Sequence, residues 1–282
     1  MAGMLWNHAR QGPLEYGRRL WLRLLLFLTF LFLYSPIAVL VAFSFNDSKR
    51  NISWQGFTFK YYGVAWNNPD LIEAFTNSLI IAFLSTLVST VIGAMVGLQL
   101  WRFHFPGKTV YEGVMALPIV IPEISMGVAL MAFFIKLGWL TSDIPWPFNL
   151  APIVIAHIAF SFPFVSIVVR SRMVGFNKQL EEASRDLGAS QWQTFLYVLL
   201  PYMKPGLIAG ALLAFTLSLD DFVITYFSSG PGSVTFPVKV YSLVRRGVTP
   251  DINAASTVLI LITVVATVLA MKLQAPTKQA KG

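Results

Sequence analysis

The sequence predicts an all-α membrane protein with six transmembrane helices. Its 282 residues are 56% hydrophobic and only 12% charged, whereas roughly a quarter of the residues in a soluble domain are charged. Six apolar segments, separated by polar ones, have about the length that crosses a bilayer. The net charge of +8 is scattered among these segments, which argues against nucleic acid as a partner, and the absence of Cys excludes disulfides and thiolate metal sites.

The apolar segments divide the chain into three parts. A six-helix transmembrane domain is predicted over residues 24–273, with an N-terminal segment at 1–23 and a tail at 274–282. The predicted spans are at about 24–45, 77–101, 111–137, 150–169, 206–227 and 254–271. The first apolar run is longer than the core of roughly 7 to 15 residues in a secretory signal, so it is predicted to remain as a membrane span.

The segment between the first two spans, residues 46–71, is rich in aromatic residues. Flat amphipathic rings are favoured at the membrane interface, so Trp54 is read either as an interface anchor or as a contact near the outer mouth of a pathway. In the second span, Gly93 and Gly97 have the small-xxx-small spacing that lets two helix backbones approach closely. Close helix packing is therefore predicted there.

Prolines and polar residues interrupt the third and fourth spans. Pro118 and Pro122 each remove a backbone donor, which predicts a bend, and Glu123 directly after the second proline suggests that the bend faces a pathway. In the fourth span, His157 is predicted to be a hydrogen-bonded interior histidine, because no second ligand is spaced for a metal. No metal site is expected in the chain.

Basic residues indicate the orientation of the chain. If both termini lie in the cytoplasm, 14 of the 21 Lys and Arg residues fall on the cytoplasmic side. The positive-inside rule favours this arrangement over its inverse. It places the polar segment 170–205, between the fourth and fifth spans, in the cytoplasm.

This cytoplasmic segment has the signals of a helix, a tight turn and a second, amphipathic helix. Asn177 can cap the first helix, and Gly188 stands where a left-handed residue would end it. Ser190 and Gln193 have the spacing of a capping box that begins the second helix. That helix is predicted to end at Pro201.

The same segment resembles the coupling loop of importer-type ABC permeases. The family pattern is Glu-Ala-Ala, three residues, Gly, nine residues, Ile-x-Leu-Pro, and Ser184 and Val198 replace the second Ala and the Ile. The resemblance implies the fold of a type I ABC importer permease whose short helix docks on a separate ATPase. It also implies that this partner binds ATP and Mg²⁺, since the chain has no visible nucleotide or cofactor site. The residues assigned to coupling are Glu182, Ala183, Ser184, Asp186, Gly188 and Pro201.

Three carboxylates, those of Glu123, Asp220 and Asp221, fall within predicted spans. Each costs about 2.5 to 3.5 kcal/mol at a span centre. No basic residue is predicted at their depth, so a transported cation could compensate them, with Ser218 and Trp54 contributing to the same pathway through polar and cation-π contacts. Adjacent helix residues differ by about 100° in direction, so one aspartate is expected to face the pathway and the other a partner or water. The alternative is that both aspartates are hydrated at the outer end of the span.

Around these aspartates the chain resembles the second permease subunit of bacterial spermidine/putrescine importers. The resemblance is carried by the segments Ser218–Ile224, Gly230–Gly232 and Pro250–Ala254. It implies a bacterial inner-membrane subunit with both termini cytoplasmic, surrounded by lipid, that pairs with a second permease as a heterodimer. Two copies of an ATP-binding subunit and a soluble polyamine-binding protein would complete the assembly.

Other functions remain open at this stage. The same permease could carry another solute, such as iron(III) or thiamine. A secondary transporter driven by an ion gradient would also use carboxylates within the membrane, but it has no need of the coupling loop. The chain itself is predicted to be non-catalytic, because neither His-Glu-x-x-His nor Gly-x-Ser-x-Gly occurs in it.

Overall fold

The computed structural model describes residues 20–48, 53–141, 143–245, 247 and 249–274, which excludes most of the predicted N-terminal segment and nearly all of the predicted tail. Within the described residues the regular elements are helical, and the isolated antiparallel bridge between Asn46 and Phe57 is the exception. The all-α prediction is confirmed. The elements are α1 (Leu20–Phe43), α2 (Lys60–Trp66), α3 (Pro69–Arg102), α4 (Lys108–Val120), α5 (Glu123–Lys136), a 3₁₀ turn (Phe148–Leu150), α6 (Ala151–Met173), α7 (Gln179–Asp186), α8 (Gln191–Thr194), a π turn (Phe195–Leu199), α9 (Leu200–Asp220), α10 (Val223–Ser228), α11 (Phe236–Val244) and α12 (Pro250–Gln274).

Five helical stretches are long and apolar enough to cross a membrane, and α4 with α5 forms a sixth if the bent pair is counted as one span. The two helices of this pair meet at 101°. The bend follows from Pro122, because a proline disfavours helical backbone in the residue before it. Accordingly, Ile121 has extended dihedral angles, φ −71° and ψ 133°. The predicted bend is confirmed.

The core of the domain is formed by α3, α6 and α9, which pack against one another. Gly93 and Gly97 allow α3 to approach α6 closely. A Cβ at Gly93 would lie 2.6 Å from the Cβ of Val165, and one at Gly97 would lie 2.7 Å from the carbonyl oxygen of Ser166. Both distances are too short for any larger residue, so the predicted close packing is confirmed.

The first helix, α1, lies at the periphery of this core. None of its residues is buried, and its long side chains are exposed around the whole helix. A helix that is apolar on every side is expected where the surroundings are lipid or another membrane helix. It contacts α12 within the chain.

The second cytoplasmic helix does not end at Pro201, so that prediction is wrong. From Gln191 the chain remains helical to Asp220, through the π turn that immediately precedes Leu200 and Pro201. A proline within a helix lacks one donor and crowds the preceding turn. The wider π turn places Pro201 at the start of a new regular helix, where a proline is tolerated.

The far end of this helix also differs from the predicted span at 206–227. Helix α9 ends at Asp220, and Asp221 has extended dihedral angles, φ −63° and ψ 126°. The short helix α10 then begins at Val223. The pair of aspartates therefore lies at a break between two helices instead of within one continuous helix.

Candidate functional site

The cytoplasmic coupling segment, residues 177–201, has the local structure that its sequence predicts up to Pro201. The Asn177 side chain accepts a hydrogen bond from the backbone N–H of Gln179 at 3.0 Å, and Gly188 has a φ of +84°. The Ser190 hydroxyl accepts from the backbone N–H of Gln193 at 3.2 Å, and the Gln193 side chain accepts from the N–H of Ser190 at 2.8 Å. The Asn177 bond thus fixes the turn that leads into α7, Gly188 follows its end, and the capping box begins α8.

Most of the predicted coupling residues lie on an open surface. Glu182, Ala183, Asp186, Gly188 and Pro201 are exposed. Ser184 is half-buried, and its hydroxyl lies 3.2 Å from the hydroxyl of Thr194 in α8. This contact joins the two helices of the segment into one unit.

An apolar side chain stands out at the end of α7. Leu187 is 90% exposed, which is unusual for a leucine in a polar segment. Trp192, at the start of the next helix, is also exposed, and its ring stacks on that of Phe195 at 5.5 Å. Sequence reasoning did not select either residue, because nothing in the local pattern distinguishes an exposed leucine from a buried one.

An ion pair connects the coupling segment to the membrane helices. Arg102 is the last residue of α3. Its Nη2 atom is 2.6 Å from Oε1 of Glu181 in α7, and the Glu181 side chain is only 13% exposed. Arg185 approaches the same oxygen at 3.3 Å from one turn further along α7. Glu181 is therefore shared by two guanidinium groups. The pairing was not predicted, because Arg102 and Glu181 are 79 residues apart in sequence.

The two adjacent aspartates occupy opposite environments. Asp220 is exposed, whereas the side chain of Asp221 is 5% exposed. Oδ2 of Asp221 accepts hydrogen bonds from the backbone N–H of Thr225 at 2.7 Å and from its hydroxyl at 2.9 Å. Oδ1 accepts from the N–H of Ile224 at 3.4 Å. The buried carboxylate thus holds the first turn of α10.

His157 completes a buried polar network that spans four helices. Its Nδ1 lies 2.6 Å from the Ser218 hydroxyl, and its Nε2 lies 2.9 Å from the Thr225 hydroxyl and 3.3 Å from Oδ2 of Asp221. The Ser85 hydroxyl of α3 donates to Ser218 at 3.0 Å. The prediction of a hydrogen-bonded interior histidine is confirmed. The sequence did not indicate that His157 lies beside Asp221, 3.3 Å from its Oδ2.

The other predicted pathway residues separate into two groups. Glu123 is exposed at the start of α5, one turn before Gly127, which packs against Phe227 of α10. Because α5 packs against α10, Glu123 at the start of α5 and Asp220 just before α10 lie on neighbouring elements.

The other two predicted pathway residues, Ser218 and Trp54, differ from Glu123 and Asp220 in their surroundings. Ser218 is buried and fully engaged in the histidine network, and Trp54 is 51% exposed with its ring edge-on to that of Phe43 at 6.2 Å. Of the predicted set, Glu123 and Asp220 are thus the two that are both exposed and on neighbouring elements. Among the described residues, no cluster of three or more His, Cys, Asp or Glu side chains could hold a metal ion.

Helices of this length, arranged around a three-helix core and bearing an exposed helical loop on one side, define a membrane permease. The family model described as "Binding-protein-dependent transport system inner membrane component" matches residues 89–275. The chain belongs to this family, and it is a permease of the ABC importer class.

Two relatives align over most of the chain. It is 38% identical over 234 residues to the spermidine/putrescine transport system permease protein PotC of Escherichia coli (strain K12), with 83% of this chain and 86% of the relative covered. It is 37% identical over 243 residues to the putrescine transport system permease protein PotI of the same strain, with 85% of each covered.

The fold is also seen in a solved structure. A bacterial ABC transporter involved in the import of the acidic polysaccharide alginate contains a chain that superposes with a TM-score of 0.67 at 19% identity. The superposition covers 92% of this chain and 94% of that chain. At this identity the likeness shows the fold and not the transported solute.

Proposed function

We propose that this permease forms half of a translocation pathway for polyamines such as spermidine and putrescine, in a heterodimer with a second permease subunit. The observation that carries the proposal is the pair of exposed carboxylates, Asp220 and Glu123, beside the breaks in two membrane spans. In the part of the chain that the structure describes, neither forms an ion pair with Lys or Arg. The polyamine relatives support the same cargo.

The charge of the cargo follows from electrostatics. Two exposed carboxylates that line one pathway attract a cation that enters beside them. A polyamine carries two or more ammonium groups along an apolar chain, so one molecule can interact with both carboxylates. An anionic solute would instead be repelled by this surface.

The energy for transport would come from a partner. The exposed face of α7, with Glu182, Ala183 and Leu187, is the surface that we assign to docking on a separate ATPase subunit, present in two copies. That subunit would bind ATP and Mg²⁺, and the permease itself would carry out no bond chemistry. Docking at this surface would move α7 and, through the Arg102–Glu181 ion pair, the core helix α3.

The remaining components follow from this arrangement. We place the subunit in a bacterial inner membrane with both termini in the cytoplasm, because that orientation puts 14 of the 21 Lys and Arg residues on the cytoplasmic side. A soluble polyamine-binding protein would deliver the cargo on the opposite side. Alternating access would then expose Asp220 and Glu123 first to one side and then to the other.

The test is uptake of labelled spermidine and putrescine by vesicles that contain the complete assembly. We expect uptake to require ATP and to fall about tenfold or more in Asp220→Asn, because the neutral amide no longer attracts the ammonium groups. Asp143→Asn is the matched control, since Asp143 is an exposed carboxylate in the loop between α5 and α6. ATP hydrolysis that drives entry of thiamine or ferric iron but of neither amine would overturn the polyamine assignment.

A further inference from the structure

The break between α9 and α10 presents two adjacent carboxylates in different ways. Asp220 ends α9 and is exposed, while Asp221 has an extended backbone that turns its side chain into the protein. If α9 simply continued, the two side chains would point about 100° apart around one helix axis, and the N–H groups of Ile224 and Thr225 would bond to carbonyl groups one turn earlier. The break instead leaves these N–H groups free for the Asp221 carboxylate, while Asp220 stays exposed.

The donors and acceptors around His157 can be counted. The Thr225 hydroxyl has one hydrogen, which it donates to Oδ2 of Asp221, so its oxygen can only accept from His157. Nε2 of His157 therefore carries the proton, and Nδ1 accepts from the Ser218 hydroxyl. Ser218 in turn accepts from Ser85. The hydrogen bonds of the network therefore all point the same way: each group donates to the next one, from Ser85 through Ser218, His157 and Thr225 to Asp221.

This count leaves one lone pair of Asp221 open, on Oδ1, while Oδ2 is fully used. Its two oxygens receive the N–H groups of Ile224 and Thr225 and the Thr225 hydroxyl, and Nε2–H of His157 lies 3.3 Å from Oδ2. The carboxylate is also enclosed, with 5% of its side chain exposed. A polyamine could reach Asp221 only if the enclosure opened and the hydrogen bonds from Ile224 and Thr225 were disturbed, which costs about 1 to 3 kcal/mol for each buried group left unsatisfied.

We infer that Asp221 and His157 are positioning residues, which fix the helix break so that Asp220 alone of the two aspartates faces the pathway. The network ties the break to three membrane helices, through Ser85 of α3, His157 of α6 and Ser218 of α9. The inference rests on the proposed function in one respect, namely that Asp220 faces transported solute. The enclosure of Asp221 and its dependence on His157 do not rest on it.

Removal of His157 has a defined consequence in this account. The Thr225 hydroxyl, which donates to Asp221, then loses the N–H that it accepts, and Asp221 loses the Nε2–H that lies 3.3 Å away, so the buried carboxylate is held less firmly and moves toward water. Because Asp220 and Asp221 are adjacent, a turn of the backbone that exposes Asp221 withdraws Asp220. His157→Gln keeps an N–H near the position of Nε2 and should preserve the break, whereas His157→Leu should not.

The test uses the absence of Cys from the sequence. Single Asp220→Cys and Asp221→Cys variants of the complete assembly are treated with a membrane-impermeant cationic thiol reagent, applied from each side in turn. Since thiol modification follows exposure, Asp220→Cys should react about tenfold faster or more than Asp221→Cys. In the Asp220→Cys background, His157→Leu should lower the rate about threefold or more, and His157→Gln should restore it to within about twofold of the original.

If His157→Leu does not assemble with its partner subunits, Ser218→Ala takes its place, because it removes the donor to Nδ1 and the acceptor for Ser85 but leaves His157 itself beside Thr225 and Asp221. In the Asp220→Cys background, Ser218→Ala should lower the rate of thiol modification about twofold. Equal reactivity of the two cysteine variants, or a rate for Asp220→Cys that neither substitution changes, would overturn the inference.

Labelling does not depend on the identity of the cargo. Failure of polyamine uptake together with the expected labelling pattern would therefore count against the proposed function alone. Intact uptake with equal labelling of the two positions would count against the positioning role alone.

Discussion

The coupling segment and the buried histidine network are built in opposite ways. The coupling segment is exposed, and its caps join residues two or three positions apart, such as Asn177 with Gln179 and Ser190 with Gln193. The network is enclosed, and its hydrogen bonds join residues 61, 68 and 133 positions apart. The surface that we assign to a partner protein is thus specified locally, whereas the proposed surroundings of the cargo depend on how separate membrane helices pack.

This difference has an energetic consequence. An exposed residue of the coupling segment can change without leaving a buried group unsatisfied, so its loss should affect transport and not folding. Each member of the network, in contrast, is the partner of another buried polar group, and its removal leaves that group unsatisfied. The two regions should therefore respond differently to substitution.

The largest effect should come from Gly188→Val in the coupling segment. Gly188 has a φ of +84°, and a side chain in left-handed backbone costs about 1 to 2 kcal/mol, with more for a β-branched residue. We expect binding of the ATPase subunit, measured by co-purification, to fall about tenfold or more.

Gly107→Val provides the control for this prediction. Gly107 has a φ of +82° and, like Gly188, no atom within 4 Å of the place a Cβ would take, but it precedes α4 and lies outside the coupling segment. It should retain ATPase binding. Equal losses in the two variants would mean that backbone strain alone, and not the shape of the coupling segment, determines the result.

A smaller effect is expected where the two regions connect, at the ion pair of Arg102 and Glu181. Arg102→Glu replaces the guanidinium that lies 2.6 Å from Glu181 with a second carboxylate in a partly enclosed site, and it should lower uptake about fivefold. The exchanged pair, Arg102→Glu with Glu181→Arg, should recover part of the loss.

The exposed pair Lys60 and Asp47, at 4.0 Å, serves as the comparison for that ion pair. Surface pairs contribute between zero and about 1 kcal/mol, so Lys60→Glu should leave uptake nearly unchanged. A loss in Lys60→Glu as large as that in Arg102→Glu would remove the reason to assign a connecting role to Arg102.

The smallest effect should be on stability, from Ser85→Ala in the network. Ser218 then loses one donor but keeps its bond to His157, so the free energy of unfolding should fall by about 1 kcal/mol. Thermal unfolding of the purified assembly in detergent would measure the change. Ser89→Ala is the control, because the Ser89 hydroxyl is buried in the same helix but contacts the carbonyl of Ile158 only at 3.5 Å. Equal shifts in the two variants would show that the network adds nothing beyond helix packing.

The sequence allowed prediction of what depends on a few neighbouring residues. The caps of the coupling segment, the left-handed Gly188 and the bend at Pro122 all follow from local rules. The end of the helix at Pro201 was predicted wrongly, because a π turn accommodates the proline and no simple pattern signals such a turn.

What could not be predicted depends on tertiary contacts. That His157 was an interior residue could be expected from its apolar surroundings, but its pairing with Asp221 requires the positions of α6 and α10. The contact of Arg102 with Glu181 likewise requires the end of α3 to meet α7. A charged residue indicates the need for a partner, but its sequence position does not identify that partner.

In this account the coupling segment binds the ATPase and the site at Asp220 binds the cargo. The most direct test is to measure ATPase binding and polyamine uptake in parallel in Glu182→Lys and Asp220→Asn. Glu182 is exposed on α7, and Asp220 is exposed at the end of α9. We expect Glu182→Lys to lose both ATPase binding and uptake, and Asp220→Asn to lose uptake while its ATPase binding remains that of the unmodified protein. Loss of ATPase binding in Asp220→Asn, or full uptake in Glu182→Lys, would contradict the account.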